Sequence, residues 1–252
     1  MKSWFKEDVL AGKTALVIGG SSESGPAVCK VLAEHGANVA FTYLHRQQEA
    51  KDLAKQLTTK DNKIQYYQFD LFSMEAVHKL PTLVYEEFGK LDLLVNLGGP
   101  PPIYTNLHTI TEEDFDTMLD SHFKGNFFLS LEAAKIMEKN AGGIVVNISA
   151  TSSLKSDHSV YGLAKACQNE MTGFLANTFA PQVKFLTIIP GLLDNEDVDI
   201  ELRNSRAKAS PLKRNVSAEE IGNLIISACS TAFLSITGQT IVADGGFFML
   251  HP

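Results

Sequence analysis

The sequence is poor in cysteine and contains no long apolar run. Its three cysteines, Cys29, Cys167 and Cys229, are widely spaced and form no CxxC pair, which argues against a disulfide framework and against metal ligands. We expect them to be free packing thiols on helices of a protein in the reducing cytoplasm. No apolar stretch approaches the roughly 18 residues that span a bilayer, and the first residues lack the apolar core of a signal peptide. We therefore expect no membrane partner.

Positive charge is also scarce. Lysine and arginine total 22 against 29 acidic residues, and the net charge of −7 argues against nonspecific binding of nucleic acid. The seven histidines show no HExxH or comparable spacing, so the sequence predicts no metal site. The absence of a G-x-S-x-G motif argues against the nucleophile elbow of α/β-hydrolases.

Short apolar runs alternate with segments of helical period along the whole chain. We predict strands at 14–18, 38–43, 64–69, 91–97, 144–149, 183–189 and 240–243, and helices near 25–35, 46–57, 73–88, 111–139, 158–179 and 217–232. Because the strands are apolar on both faces, we expect a parallel sheet covered by helices. The sequence therefore predicts a Rossmann-like, doubly wound α/β fold with seven parallel strands and helices on both faces, in one domain over 1–252.

Residues 192–216 form the one long stretch without a predicted strand. This stretch opens with acidic residues and continues with basic ones. Because long irregular segments in compact domains are often lids, we predict a substrate lid here. The alternative is a solvated charged face.

The first predicted strand runs into a glycine-rich turn, from Gly19 to Gly25, that opens a helix. Such a turn offers unpaired N–H groups and the positive end of a helix dipole to a pyrophosphate. The hydroxyls of Ser21, Ser22 and Ser24 would add hydrogen-bond donors. We predict that this loop binds the phosphates of a dinucleotide, the alternative being a simple tight turn.

The ends of the next three strands indicate which dinucleotide binds. The second strand is followed by His45 and Arg46, without the acidic residue that reads a ribose 2′-hydroxyl, and Arg46 suits a 2′-phosphate. This favours NADP(H) over NAD. Asp70 follows the third strand, where it could accept from the adenine amino group. Small residues near Asn96 and Gly98, after the fourth strand, let a cofactor pass close to the backbone.

The stretch Tyr161-Gly-Leu-Ala-Lys165 carries the predicted chemistry. A spacing of four residues on a helix places the phenol and the ammonium on one face. A nearby cation favours the phenolate and so lowers the pKa of a tyrosine from its usual value of about 10. The pair predicts a general acid or base that exchanges a proton with a carbonyl or alcohol oxygen.

Together these motifs resemble those of the short-chain dehydrogenase/reductase superfamily along nearly the whole chain. The matching landmarks, in chain order, are Gly19 to Gly25, Asp70-Leu71, Asn96-x-x-Gly99, Tyr161-x-x-x-Lys165, Pro190-Gly191 and Asp244-Gly245-Gly246. The resemblance implies that Tyr161 exchanges the substrate proton, while Lys165 lowers the tyrosine pKa and binds the nicotinamide ribose. It also implies cofactor contacts at Leu71, Pro190 and Gly191, and a homo-oligomer, either a dimer or a homotetramer.

Two departures from the family pattern affect the nucleotide end. Glu23 stands where the family loop has its middle glycine, and a carboxylate there would repel a pyrophosphate unless its side chain turns outward. The family's N-N-A-G reads Asn96-Leu97-Gly98-Gly99, a milder change that we expect to alter packing.

Two further departures affect the catalytic end. His122 stands where the family has an active-site Asn that helps to hold a relay water; it could substitute for that Asn, with a pH dependence near ~6.5, or could fill the interior of a helix. Ala150 stands where the family has the catalytic serine. Ser149 is our first choice to polarise the carbonyl, and Thr151 and Ser152 are the alternatives.

The leading hypothesis is an NADP-dependent oxidoreductase that reduces a small-molecule carbonyl, either a ketone or an aldehyde, with 3-oxoacyl groups among the candidates. Tyr161 would donate the proton, and Lys165, Ser149 and His122 would complete the catalytic set. One alternative is a nucleotide-binding regulator or structural homologue with little catalysis. The other is an enoyl reductase, whose more distant tyrosine–lysine spacing would place His158 at the tyrosine position.

Overall fold

The computed structural model describes residues 8–103, 107–154, 159–195 and 198–250. Seven parallel strands form one sheet in the order β3-β2-β1-β4-β5-β6-β7. The strands are β1 (Thr14–Ile18), β2 (Asn38–Tyr43), β3 (Ile64–Gln68), β4 (Leu93–Asn96), β5 (Gly143–Ile148), β6 (Val183–Pro190) and β7 (Gln239–Ala243). The predicted Rossmann-like, doubly wound fold is confirmed, and every predicted strand boundary lies within two residues of the observed one.

Helices cover both faces of the sheet. They are α1 (Gly25–Glu34), α2 (Gln47–Leu57), α3 (Met74–Phe88), α4 (Glu112–Leu119), α5 (Asn126–Glu138), α6 (Val160–Phe179), α7 (Ile200–Ala209), α8 (Ala218–Cys229) and α9 (Phe247–Leu250). One apolar core joins the sheet to α1, α2 and α8. A second joins it to α3, α5 and α6 on the opposite face. The burial of both faces explains why the strand sequences show no polar alternation.

The single helix predicted at 111–139 is wrong in one respect, because a π-helical segment, Asp120–Gly125, separates α4 from α5. A π-helical turn leaves backbone carbonyls without their usual partners. The buried Asn126 amide donates to two of them, at 3.1 Å from the Ser121 oxygen and 3.2 Å from the His122 oxygen. The side chain of Asn126 thus stabilises the irregular turn that carries His122.

The stretch 192–216, which the sequence pattern predicts to be irregular, contains a helix, α7. Asp199 begins it as the N-cap, where its side chain accepts from Leu202 N. No side chain of α7 is buried, and its apolar Ile200 and Leu202 are exposed. This helix therefore gains little stability from the core. Because it buries no side chain, its sequence has no clear apolar stripe, and the pattern did not predict it.

Candidate active site

The candidate site lies at the carboxyl edge of the sheet, where the loops after four adjacent strands meet. β1, β4, β5 and β6 are neighbours, and they lead into Gly19, Leu97, Ser149 and Gly191. The strand order reverses between β1 and β4, and ligands of doubly wound sheets bind at such a point. The fold therefore brings the predicted motifs to one edge.

The loop between β1 and α1 is closed by contacts between backbone atoms. A Cβ on Gly25 would lie 2.2 Å from the Gly19 carbonyl oxygen, so only glycine fits there. The N-cap residue Ser24 makes no side-chain cap hydrogen bond. The positive end of the α1 dipole is therefore available to an anion, which fits the pyrophosphate of a dinucleotide.

Glu23 adopts the backbone conformation that the sequence pattern leads one to expect of a glycine. Its φ is +43°, in the left-handed region that residues with a Cβ rarely enter. Its side chain is exposed, so the carboxylate does not fill the loop. The loop thus holds a residue with a Cβ in the left-handed region, at the cost of strain and of an acidic group at its rim.

Two of the three predicted phosphate-binding serines make hydrogen bonds within the protein. Ser22 Oγ donates to the Gly19 carbonyl at 3.0 Å, and Ser21 Oγ donates to the Thr42 carbonyl at 3.5 Å. Ser24 is buried at the start of α1. Phosphate contacts from Ser21, Ser22 and Ser24 stay predictions.

The end of β2 opens into a cavity of about 610 Å³. Its lining includes His45, Arg46, Lys51 and Tyr66. Arg46 is exposed and lies 3.4 Å from a carboxylate oxygen of Glu49, a separation at which an exposed ion pair is weak. The guanidinium can therefore turn to a phosphate placed in this cavity.

The remaining predicted cofactor residues have different environments. Asp70 Oδ1 accepts from Phe72 N at 2.9 Å, and Leu71 is buried. The Gly98 backbone lies against Gly19, since a Cβ on Gly98 would be 3.1 Å from Gly19 N. At the end of β6, Pro190 is buried and Gly191 N donates to the Ala243 carbonyl at 3.0 Å.

The Asn96 side chain points into the protein. It is buried, and Nδ2 donates to Ser130 Oγ and to Asn147 Oδ1, both at 2.8 Å. Asn147 Nδ2 in turn donates to Thr172 Oγ1 at 3.0 Å. These bonds join β4 and β5 to α5 and α6, so the Asn96 side chain has a structural role beneath the site. Any contact of residue 96 with a cofactor would have to come from its backbone.

Tyr161 and Lys165 lie together on the first turns of α6. Ser159 begins the helix as the N-cap, where its hydroxyl accepts from Gly162 N at 2.9 Å. Lys165 Nζ is 5.9 Å from the centre of the Tyr161 ring. Lys165 is only 4% exposed, and burial lowers its pKa from 10.5 to about 8. A cation held beside a phenol in a poorly solvated position is the arrangement that the spacing predicts.

The Lys165 ammonium is bound by neutral acceptors. It donates to the Ile148 carbonyl at 2.9 Å and to Gln168 Oε1 at 3.1 Å. Gln168 belongs to none of the predicted motifs, and the available signal was its position three residues after Lys165, since residues three apart on a helix are neighbours.

His122 is buried against the tyrosine. Its ring meets the Tyr161 ring edge to face, with the centroids 5.0 Å apart. Its Nε2 lies 3.2 Å from the Pro100 carbonyl oxygen, which can only accept, so Nε2 carries the proton. A Cβ on Gly99 would lie 2.3 Å from the ring, so the glycine makes room for the histidine. Nδ1 has no partner in the described part of the chain.

The prediction of a pH dependence near 6.5 from His122 is wrong. Burial and the Lys165 charge lower the His122 pKa to about 3, despite the hydrogen bond to Pro100. The imidazole therefore stays neutral across physiological pH. The relay-water role is still untested, and the alternative of a packed histidine agrees with the close contacts to Gly99 and Tyr161.

The hydroxyls that follow β5 differ in their partners. Ser149 is buried, and its Oγ lies 3.4 Å from both Ser153 Oγ and the Lys165 carbonyl. Ser152 Oγ is buried and finds no partner among the described residues. Ala150 precedes a short 3-10 turn over Thr151–Ser153. Ser149 as the polarising group stays a prediction, as does Thr151, and the Ser152 hydroxyl has hydrogen-bonding capacity that no described residue uses.

Two classes of site receive no support from the described ranges. Within them, no three histidine, cysteine or acidic side chains come together as metal ligands. Among the described helices, none combines the length and apolar character that a membrane crossing needs. His158, the tyrosine equivalent in the enoyl reductase alternative, lies outside the described residues.

Comparison with known proteins places this geometry in a family. Residues 22–248 match the model of a family described as enoyl-(acyl carrier protein) reductase. An A-factor type γ-butyrolactone 1′-reductase (1S-forming) from Streptomyces virginiae is 28% identical over 97% of this chain and 99% of its own.

Solved structures agree with this assignment. A short-chain dehydrogenase/reductase from Serratia marcescens has a TM-score of 0.87 and 30% identity, over 94% of this chain and 98% of its own. A short-chain dehydrogenase from Burkholderia cenocepacia in complex with NADP has a TM-score of 0.87 and 26% identity, over 95% and 99% of the two chains. The chain therefore belongs to the short-chain dehydrogenase/reductase superfamily and is an oxidoreductase of that family.

Proposed function

We propose that this oxidoreductase reduces a ketone or aldehyde with NADPH, using Tyr161 as the proton donor. The observation that carries the proposal is the buried Lys165 ammonium next to the Tyr161 ring, at the edge where the nucleotide loop also ends. The name of the Streptomyces relative, a reductase of a γ-butyrolactone, supports carbonyl-type chemistry. Candidate substrates include 3-oxoacyl compounds.

The side chains divide the work of proton transfer. The Tyr161 hydroxyl donates its proton to the carbonyl oxygen, and the Lys165 charge stabilises the phenolate that remains. The neutral His122 ring fixes the orientation of the Tyr161 ring from the side. A hydroxyl after β5, from Ser149 or Ser152, polarises the carbonyl. When bound, NADPH supplies the hydride, and the protein orients it.

The preference for NADP rests on charge. Arg46 and His45 line the cavity at the end of β2, and Lys51 adds a third basic group. A 2′-phosphate there would meet a guanidinium that is only weakly paired with Glu49. The Burkholderia structure, which is a complex with NADP, supports the same choice.

Three broader features complete the proposal. The predicted lid at 192–216 acts through α7, whose exposed Ile200 and Leu202 cover an apolar substrate. The enzyme works in the cytoplasm as a homo-oligomer, a dimer or a homotetramer. Phe174 on α6 is 65% exposed, which supports an apolar contact between copies on that helix.

Tyr161→Phe tests the proposal directly. The variant should lose NADPH oxidation by at least about a hundredfold, because it cannot donate the proton, while it binds NADPH with nearly unchanged affinity. The assay follows NADPH consumption with a panel of β-keto esters, aryl ketones and aldehydes, and binding is measured by calorimetry. Turnover equal to that of the unmutated protein would remove Tyr161 from the mechanism.

A second candidate is a nucleotide-binding regulator with little catalysis. Ala150 in place of the family serine favours it, as does the Ser149 hydroxyl bound near the Lys165 carbonyl, because an oxyanion-type donor is typically worth about 10²–10³ in rate. Tight NADPH binding without turnover across the carbonyl panel would support the regulator. Adding crotonyl-CoA to the panel covers enoyl reduction, which the description of the matching family suggests.

A further inference from the structure

The environment of Lys165 poses a problem of charge. The side chain is buried, and none of the ion pairs in the described part of the chain includes it. A buried ammonium without a carboxylate depends on hydrogen bonds to stay charged. Two acceptors meet Nζ: the Ile148 carbonyl, which β5 fixes in place, and the Gln168 side-chain oxygen. Gln168 is therefore the side chain through which the sequence adjusts the state of this ammonium.

The burial of Gln168 costs free energy, because its amide group is removed from water. It is 0% exposed on α6, and its Nε2 finds no hydrogen-bond partner among the described residues. An apolar residue of similar length would avoid the unsatisfied amide. The amide oxygen, however, lies 3.1 Å from Lys165 Nζ, and this is the one hydrogen bond that the side chain makes to a described residue. The hydrogen bond from the Lys165 ammonium offsets the cost of burying this glutamine.

The bond also sets the direction of the ammonium. An ammonium has three N–H donors, and the contacts to Ile148 and Gln168 occupy two of them. The third N–H is left for the Tyr161 side of the site or for a bound ribose. With Gln168 as its partner one turn along α6, Lys165 is held at the base of the site rather than swinging toward solvent.

We infer that Gln168 is a positioning residue that keeps Lys165 charged and oriented beside Tyr161. This inference rests on the proposed function, because the charge of Lys165 matters for proton transfer. It also extends the functional set by one residue on α6, three positions after the lysine. The expected behaviour is specific: an apolar side chain at 168 should favour neutral Lys165, and a carboxylate should favour the charged form.

A pair of nearly isosteric substitutions tests the inference by its sign. Gln168→Leu should lower the titration midpoint of Lys165 by about one pH unit, and Gln168→Glu should raise it by about one unit or more. The probe is lysine labelled with ¹³C at Cε, with the Lys165 resonance assigned by its loss in Lys165→Met. Because this measurement needs no substrate, it gives a result even if no carbonyl is reduced.

Leu175→Met provides the matched control. Leu175 is also buried on α6, two turns beyond Gln168, but it lies in the apolar core that α6 shares with the sheet. The midpoint of this variant should equal that of the unmutated protein. The inference is overturned if both folded Gln168 variants keep the original midpoint, or if Leu175→Met moves it as far as Gln168→Leu does. If Gln168→Leu does not fold, the rise expected in Gln168→Glu decides alone.

Discussion

The two ends of the site treat electric charge in opposite ways. At the nucleotide end, Glu23 and Arg46 are exposed, and the one ion pair of Arg46 is long. At the catalytic end, Lys165 and His122 are buried, and their hydrogen-bond partners are neutral. Exposed charges respond to salt, whereas buried ones respond to pH through displaced pKa values. The binding of cofactor and the state of the catalytic groups should therefore be separately adjustable.

The largest test of this contrast concerns His122 in acid. Its folded-state pKa of about 3 lies below the ordinary 6.5, so between these two pH values His122 is protonated in the unfolded chain but neutral in the folded protein. The stability contributed by the neutral form is present above 6.5 and is lost as the pH falls toward 3, by up to about 4–5 kcal/mol. Urea unfolding between neutral pH and pH ~4 should show about 3 kcal/mol of this loss, and His122→Asn should reduce it.

The His122→Asn comparison isolates one group among many that titrate in acid. Carboxylates contribute to acid unfolding in both proteins, so only the difference in slope between them reports His122. Equal slopes would mean that the imidazole titrates in the folded protein as it does in water, and the buried character of the catalytic end would have to be revised.

At the nucleotide end, Arg46→Gln should weaken NADPH binding by about tenfold, because one charge-assisted hydrogen bond to the 2′-phosphate is lost at an exposed position. Its dependence on salt should also become shallower. NADH affinity, measured by the same calorimetry, serves as the control and should hardly change. A similar loss for NADH and NADPH would show that Arg46 does not read the 2′-phosphate.

The smallest effect is expected at Glu23. Glu23→Gly removes the strain of a positive φ and should raise the free energy of unfolding by up to about 1 kcal/mol, which a shift in Tm would reveal. Glu23→Gln is the control, since it removes the charge and keeps the backbone constraint. If the glutamine variant were stabilised as much as the glycine variant, charge rather than conformation would be the source.

The fold could be predicted from the sequence because buried strands have a distinctive local composition. Apolar, β-branched runs predicted the positions of strands such as β1 and β6, and the spacing of Tyr161 and Lys165 predicted the helix that carries them. The π-helical turn at Asp120–Gly125 was not predicted, because helical periodicity in so short a stretch does not separate one continuous helix from two helices joined with a shift in phase. The helix α7 was missed because it buries nothing.

The protonation states and hydrogen bonds of the site could not be predicted from the sequence, for a different reason. The pKa of His122 depends on Pro100 and Lys165, which come from two other segments of the chain. The orientation of the Ser149 hydroxyl likewise depends on a carbonyl of α6. Residue types indicated which chemistry to look for, whereas desolvation arises only when the segments pack.

The π-helical turn has a consequence for the whole long connection between β4 and β5. An extra residue in one turn rotates everything after it by about 100° around the helix axis relative to an uninterrupted α-helix. α4 packs against α6, whereas α5 packs against α3 and the sheet and also contacts α6, although α4 and α5 are continuous in sequence. The π-helical turn thus sets the rotation of α5 about the axis that it shares with α4, and this rotation determines which face of α5 meets α3 and the sheet.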